Sequence, residues 1–343
     1  MKTSPKADSG MGRTRSRRAF LRTAAGAAVP WVLSRPVWGR EGGVAPSHRV
    51  AMGFIGVGDH GTNVNLKGFL EEPDLQPVAV CDVDSIHLQR AVNVIKASRG
   101  ITLSGAAVTK DWREIIARPD VDAVMISTPD HWHVPIALAA LRAGKDVICE
   151  KPTLTIREGQ VLVQTVRQYG RVFQASTEDR AVPVYHRAAE LVRNGRIGKL
   201  QAMRVTVPGE PWAEQAPSGR PDIHEVRPVP PPATLDYDLW LGPAPEAPYQ
   251  PERVHYRNPA FGWRLIEDYS GGILTDWGTH MVDTAQWAND TEGSGPVEVA
   301  GRAHFLTGLY NTAHHFRLDY RYANGVQLIV ETGGTGLRME GTD

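Results

Sequence analysis

Cysteine is nearly absent from this chain, with two among 343 residues, too few for the disulfide framework that staples small secreted domains. Net charge is absent too, because 38 Lys and Arg balance 38 Asp and Glu. That balance is uneven along the chain. The first 40 residues carry nine of the bases and one of the acids, so the rest carries 29 bases against 37 acids, a net of −8. A body that acidic has no electrostatic reason to seek phosphate backbones or an anionic bilayer, so neither nucleic acid nor a membrane surface is an expected partner. No apolar run reaches the ~20 residues that span a bilayer, which argues against an integral anchor. A composition of 41% hydrophobic and 22% charged residues is that of an ordinary globular protein, and at roughly 150 residues per domain the length suggests two domains acting on a small molecule.

The basic start reads as an address. Ser16-Arg17-Arg18-Ala19-Phe20-Leu21 precedes a mildly apolar stretch, Thr23 to Leu33, and then Val37-Trp38-Gly39. Charged, apolar and small segments in that order form a signal peptide, expected over residues 1–39. It resembles a twin-arginine signal, which implies export of a folded, cofactor-loaded protein to the periplasm or outside.

Next comes a dinucleotide site. Arg49 to Val57 is an apolar strand candidate running into Gly56-Val57-Gly58-Asp59-His60-Gly61, followed by a helical pattern to about Leu70. In this context the first glycine permits a tight turn, the second lets backbone approach a pyrophosphate, and the third lets helix pack on strand. A second strand, Pro77 to Cys81, ends in Asp82, 21 residues beyond Gly61. An acid there accepts from the ribose diol and repels a 2′-phosphate, so the cofactor expected is NAD rather than NADP. Strand and helix patterns go on alternating. Asp111 to Glu114 reads as a capping box, Val121 to Thr128 as a buried strand, Asp146 to Glu150 as a strand, Thr155-x-x-Glu158 as another capping box, and Arg171 to Ser176 as a sixth strand. That pattern predicts a Rossmann-type doubly wound parallel sheet in the order 3-2-1-4-5-6 over 48–176. In that order Cys81 and Cys149 end strands about 14 Å apart, beyond the ~7 Å limit for a disulfide.

Two further motifs carry chemistry. Glu150-Lys151-Pro152 sits at the carboxyl end of the fifth strand, where open α/β sheets bind ligands. Far downstream, Asp276 and His280 stand four apart at a predicted helix start, so both can face one site. A carboxylate that orients an imidazole makes a general base. His131-x-His133 after a strand could instead suggest a zinc hydrolase.

Taken as a set, the glycine loop, Thr128-Pro129-Asp130-His131-Trp132-His133, Glu150-Lys151-Pro152, Asp236 to Pro245 and Asp276-x-x-x-His280-x-x-Asp283 resemble the glucose-fructose oxidoreductase, inositol dehydrogenase and MocA (Gfo/Idh/MocA) family from about Arg49 onward. The resemblance implies that Lys151 touches the nicotinamide end and the reacting hydroxyl, that His280 removes the hydroxyl proton and that Asp276 steadies the imidazolium. It places Gly56, Gly58, His60, Gly61, Asp82, Thr128, Pro129, His133 and Glu150 with Lys151 around the cofactor. It leaves His131 and His133 no metal to bind, so no metal site is expected.

The resemblance further implies that 177–343 form an α+β domain with an open, mostly antiparallel sheet that makes subunit contacts, hence a homo-oligomer. Residues 208–259, with 13 of the 25 prolines, are expected to be irregular and to border the pocket. Trp263, Arg264, Tyr269 and Asp283 are candidate substrate contacts. Two departures from the family pattern stand out. Gln174 to Arg180 lacks the usual glycine, and Gly325 to Asp343 reads as two strands and then stops, so the sheet domain is expected to be short. The function implied is NAD-dependent oxidation of a hydroxyl on a sugar, sugar derivative or cyclitol. The alternative is an NAD-dependent glycosidase working by transient C3 oxidation, elimination and rehydration, and a catalytically silent binding protein is a further contender.

Overall fold

The computed structural model describes residues 44–209, 228–254, 262–305 and 307–343. The chain divides into two units, Met1–Arg49 and Val50–Asp343. The described end of the first is a 3₁₀ turn, Pro46–His48, followed by Arg49, whose guanidinium donates to the Val44 carbonyl at 3.0 and 3.1 Å. The expected signal at 1–39 lies outside the described residues.

The second unit opens with six parallel strands: β1 (Val50–Ile55), β2 (Leu75–Cys81), β3 (Val108–Thr109), β4 (Ala123–Ile126), β5 (Asp146–Cys149) and β6 (Phe173–Ala175). Their order is β3-β2-β1-β4-β5-β6, as the alternating pattern predicts. Strands covered on both faces need continuous apolar runs, and β4 is buried at every position. One face packs on Leu66, Leu88, Ala91 and Ile95, the other on Val134, Ile136, Leu141 and Leu162. Helical turns begin at Gly61–Leu66, π-wound, and end in α1 (Lys67–Phe69). Then come α2 (Ser85–Arg99), α3 (Trp112–Ile116), α4 (Asp130–Arg142) and α5 (Ile156–Tyr169). Thr155 and Glu158 form a reciprocal capping box. Asp111 caps α3 by accepting from Arg113 N at 2.9 Å. Cys81 and Cys149 are buried free thiols, and burial pushes both well above the ordinary thiol range.

After a 3₁₀ turn, Glu178–Ala181, the chain forms α6 (Pro183–Arg193), β7 (Ala202–Pro208), α7 (Tyr237–Leu241), α8 (Pro251–Val254), a second 3₁₀ turn (Gly262–Leu265), α9 (Ile273–Ala288), β8 (Glu298–Phe305), β9 (Ala313–Arg321), β10 (Gln327–Gly333) and β11 (Gly336–Glu340). The sheet order is β11-β7-β10-β9-β8. Only β7 and β10 pair in parallel, and the other pairs are antiparallel. Met281 and Ala285 of α9 pack on Met203, Val205, Leu328 and Val330. That packing fixes the helix whose first turns carry Asp276 and His280. The proline-rich stretch is not wholly irregular, since its described part, 228–254, holds α7 and α8; 210–227 and 255–261 lie outside the described residues. Among the described residues no helix is long and apolar enough to cross a membrane.

Candidate active site

The turn after β1 is set by sterics. Gly56 has φ +83°, and a Cβ there would sit 2.6 Å from the Ser127 carbonyl carbon, so no side chain fits. At Gly61 a Cβ would lie 2.0 Å from the Gly56 carbonyl oxygen, which is the close helix-on-strand approach the third glycine exists to permit. At Gly58 a Cβ would meet only the His87 ring, at 3.8 Å. Gly58 lines a cleft of about 1220 Å³, open solvent included.

Gly56, Gly58, His60, Gly61, Asp82, Thr128 and Pro129 line this cleft, as do Trp132, Trp240, Trp263 and Arg264. Asp82 is 9% exposed. Its Oδ2 accepts from Val57 N at 2.8 Å and its Oδ1 from Asp84 N at 2.9 Å. With four lone-pair directions on a carboxylate, Oδ2 retains an acceptor site after holding the glycine loop. The Thr128 hydroxyl is buried and has no partner within the protein. An open glycine cradle, an acid at the end of β2 and an orphaned hydroxyl facing one cleft fit a dinucleotide.

Lys151, carried out of β5, reaches across to the first turn of α9. Its Nζ donates to Asp276 Oδ1 at 2.6 Å and to the Asp276 carbonyl at 3.0 Å. Arg264 Nε stands 3.5 Å from Asp276 Oδ2 and links this cluster to the cleft, which Arg264 also lines. Burial pushes the Asp276 carboxyl up, but the Lys151 and Arg264 charges outweigh it and hold it below the ordinary range. His280 Nδ1 is buried without a partner, and Nε2 faces Glu178 Oε1 at 3.8 Å. Lys151, Asp276 and His280 do not themselves line the cleft; Arg264 joins them to it, and a fixed cation with an imidazole there can hold a developing alkoxide and take up a proton.

The structure rearranges several expected contacts. No hydrogen bond joins Asp276 to His280, because the carboxylate turns to the two cations. His133 is 2% exposed and does not line the cleft. Its ring nitrogens face the Thr128 and Pro152 carbonyls, each at 2.8 Å, tying together the loops after β4 and β5. Glu150 is likewise set back from the cleft: its Oε1 meets His60 Nε2 at 3.1 Å and accepts from Asn65 Nδ2 at 2.9 Å. Burial raises the Glu150 carboxyl, and these bonds bring it back below its ordinary value. Asp283 is committed to Arg180, whose Nε and Nη2 donate to its two oxygens at 2.5 and 2.7 Å. Tyr269 is fully buried, its hydroxyl accepting from Arg253 Nη1 at 3.0 Å, so it packs the core rather than contacting a sugar. These differences share a cause: sequence spacing puts residues on one face but does not say which group, charged or neutral, meets each of them in the folded chain.

Sequence reasoning missed five neighbours of the site. His87, five residues past Asp82 on α2, approaches its Oδ1 at 3.2 Å; although burial disfavours its charge, Asp82 raises His87 overall. Trp132 lies inside the quoted motif, and its Nε1 donates to the Trp240 carbonyl at 3.0 Å. Glu178 and Arg180 lie in the stretch that departs from the family pattern. Trp240 sits in the 236–245 motif, but no spacing rule puts it on the cleft.

A family model described as an oxidoreductase family with an NAD-binding Rossmann fold matches residues 50–177, and its companion, the C-terminal alpha/beta domain, matches 187–339. Levoglucosan dehydrogenase of Pseudarthrobacter phenanthrenivorans is 38% identical over 99 residues, 29% of this chain and 25% of that protein. A glycosyl hydrolase family 109 protein of Stenotrophomonas maltophilia is 29% identical over 189 residues, 54% of this chain and 40% of that protein. The matches thus span less than half the length of these curated relatives. Among solved structures, the WlbA dehydrogenase from Bordetella pertussis in complex with NADH and UDP-GlcNAcA superposes with a TM-score of 0.61 at 17% identity, covering 86% of this chain and 77% of that one; at that identity the likeness is one of fold.

Proposed function

Because the chain belongs to the Gfo/Idh/MocA oxidoreductase family, with an NAD-binding Rossmann domain, we propose that it oxidises a hydroxyl of a sugar, sugar derivative or cyclitol. NAD, when bound, supplies the acceptor for the hydride of the carbinol carbon. Residues 48–176 hold the dinucleotide and 177–343 present the substrate. The observation that carries this reading is the Lys151 ammonium fixed on Asp276, with His280 one turn further along the same helix, joined through Arg264 to the glycine-lined cleft.

In this reading His280 takes the hydroxyl proton on Nε2, since Nδ1 is buried. Lys151 faces the oxygen as negative charge develops, and Asp276 keeps that ammonium charged and aimed. Gly56 and Gly61 shape the turn and seat the helix, Gly58 frees backbone for the pyrophosphate, Asp82 accepts from a ribose hydroxyl, and Thr128 and Pro129 wall the nicotinamide end. Trp263, with the Arg264 guanidinium 4.3 Å above its ring, offers a face for a sugar ring. The test is reduction of NAD followed by absorbance with hexoses, N-acetylhexosamines, anhydro sugars and cyclitols. Silence on all of them from NAD-loaded protein would sink the dehydrogenase reading.

One observation favours a second reading. The glycosyl hydrolase family 109 match runs over 54% of this chain, against 29% for levoglucosan dehydrogenase. In that chemistry the same proton and hydride groups act transiently, and release of nitrophenol from nitrophenyl glycosides without net NADH distinguishes it.

We also propose twin-arginine export to the periplasm or outside, on the strength of Ser16-Arg17-Arg18-Ala19-Phe20-Leu21, and assembly into a homo-oligomer through the second sheet. Arg17→Lys with Arg18→Lys should hold the precursor in the cytoplasm. Sedimentation of the folded chain as a monomer would refute the assembly.

A further inference from the structure

Both carboxylates that flank His280 on its own helix are already engaged. Asp276, four residues before it, is bound by Lys151 and faced by Arg264. Asp283, three residues after it, has both oxygens on Arg180. The carboxylate left facing the imidazole is Glu178, whose Oε1 stands 3.8 Å from Nε2 and which makes no other ion pair among the described residues.

The position of Glu178 is built rather than incidental. It opens the 3₁₀ turn Glu178–Ala181, and two residues on, Arg180 clamps that turn to α9. The guanidinium forks onto Asp283, donates to Glu292 at 2.6 Å and lies 5.4 Å from the Trp287 ring centroid. One face of α9 thereby carries Asp276, His280 and Asp283 in successive turns, and the clamp on the last sets the distance of Glu178 from the middle one. The Glu178 side chain is 50% exposed, so it touches solvent as well as the imidazole.

We propose that Glu178 is the counter-ion and proton outlet of His280: once Nε2 has taken the substrate proton, Glu178 stabilises the imidazolium, then accepts that proton from Nε2 and releases it to water. This rests on the oxidoreductase reading for its use, though not for its geometry. The charges facing His280 are Glu178 from the turn and Asp276 and Asp283 from its own helix, the last two already matched by Lys151 and Arg180. Glu178 is therefore the one whose removal leaves the imidazolium without a dedicated counter-ion.

The sign follows directly. Glu178 favours the protonated imidazole, so its loss must move the protonation midpoint, and with it the acid limb of turnover, to lower pH. The pair is half-exposed, so the move is small. The experiment uses the full chain loaded with NAD and compares wild type with Glu178→Gln and Glu178→Asp. Imidazole ¹⁵N resonances, with His280 assigned through His280→Asn, give the midpoint without any substrate. Kinetics on whichever sugar of the panel reduces NAD give the limb.

Expected are a lower midpoint, a lower acid limb and a roughly threefold drop in kcat at unchanged KM for Glu178→Gln, with Glu178→Asp retaining most of the wild-type behaviour. A Gln variant that superimposes on wild type overturns the proposal, and so does an Asp variant that falls as far as Gln, because then shape and not charge matters. A shifted midpoint with unshifted kinetics overturns the relay role. If wild type oxidises nothing on the panel, the oxidoreductase reading fails, while the midpoint still decides whether Glu178 pairs with His280.

Discussion

The two walls of the site are held by different physics. On the glycine-loop side the shape is made of backbone: a turn at Gly56 that admits no side chain, a helix so near at Gly61 that a Cβ would lie 2.0 Å from the Gly56 carbonyl oxygen, and Asp82 accepting from Val57 N to fix the loop. On the catalytic side it is made of charges from distant parts of the chain. Lys151 meets Asp276 across 125 residues, and Arg180 meets Asp283 across 103. Backbone geometry tolerates no substitution but carries no chemistry of its own. A charge cluster can carry chemistry, but its pairing is decided only by which groups fold together. Changes on the first side should therefore strike stability and NAD binding together, and changes on the second should strike turnover alone.

The largest expected effect is on turnover. His280→Ala should lower kcat by about 100- to 10,000-fold with NAD affinity within a few fold of wild type, and Lys151→Ala by at least as much. The double variant should fall well short of the product of the two, because groups acting on one oxygen cannot be lost twice. Steady-state kinetics with calorimetric NAD titration would check this. If His280→Ala abolished NAD binding, the two walls would not be separable.

Gly61→Ala tests the other wall. Its Cβ must displace the Gly56 carbonyl, so a loss of roughly 1–3 kcal/mol of stability, or more, is expected together with the loss of NAD binding. Thermal melts with and without NAD would show it. A variant that melts like wild type and binds NAD would break the claim that the turn is sterically obligatory.

A smaller effect lies where the walls meet, in buried Asp130 and His131 at the start of α4. Burial lifts Asp130 to about 6 and lowers His131 to about 4. The folded state thus holds the Asp130 proton more tightly than the unfolded chain does. Stability from that group falls as pH rises from about 4 to about 6. The folded state refuses the His131 proton, so stability from that group falls as pH drops from about 6.5 to about 4. The two slopes oppose one another. Asp130→Asn should leave the chain more sensitive to acid across that window, and His131→Asn, which keeps a donor for the Trp240 carbonyl, should leave it less sensitive. Denaturant unfolding at the two ends of the window measures both, and parallel slopes in both variants would refute the assignment.

The mildest prediction concerns cofactor choice. Asp82→Ala removes the charge that repels a 2′-phosphate but also the bond to Val57 N. NADP should gain on NAD by about tenfold while the affinity for NAD itself declines. Binding of both cofactors by calorimetry gives the ratio, and an unchanged preference would move discrimination away from Asp82.

The parts legible in advance share one property: they are local. Periodicity and punctuation gave β1, β2, β4, β5 and β6 and the strand order, though not the two-residue β3, together with the Thr155–Glu158 capping box and the free thiols Cys81 and Cys149. The glycine loop was readable because its constraint is steric and lies within Gly56–Gly61. His133, Glu150 and Asp283 were harder. Each looks like a ligand-facing group by residue type, and each is instead satisfied inside the protein, by the Thr128 and Pro152 carbonyls, by His60 and Asn65, and by Arg180.

The sequence by itself determined the parallel sheet, the phosphate-ready turn with an acid at the end of β2, and the presence of a lysine, an aspartate and a histidine spaced for one site. Only the tertiary structure decided who pairs with whom. Asp276 went to Lys151 rather than to His280, and a turn that departs from the family pattern brought Glu178 to the imidazole instead. The reason is physical. Strand order and turn shape follow from hydrophobic period and backbone sterics, which are written in neighbouring residues, whereas an ion pair depends on distance in space, and its partners can lie 125 residues apart.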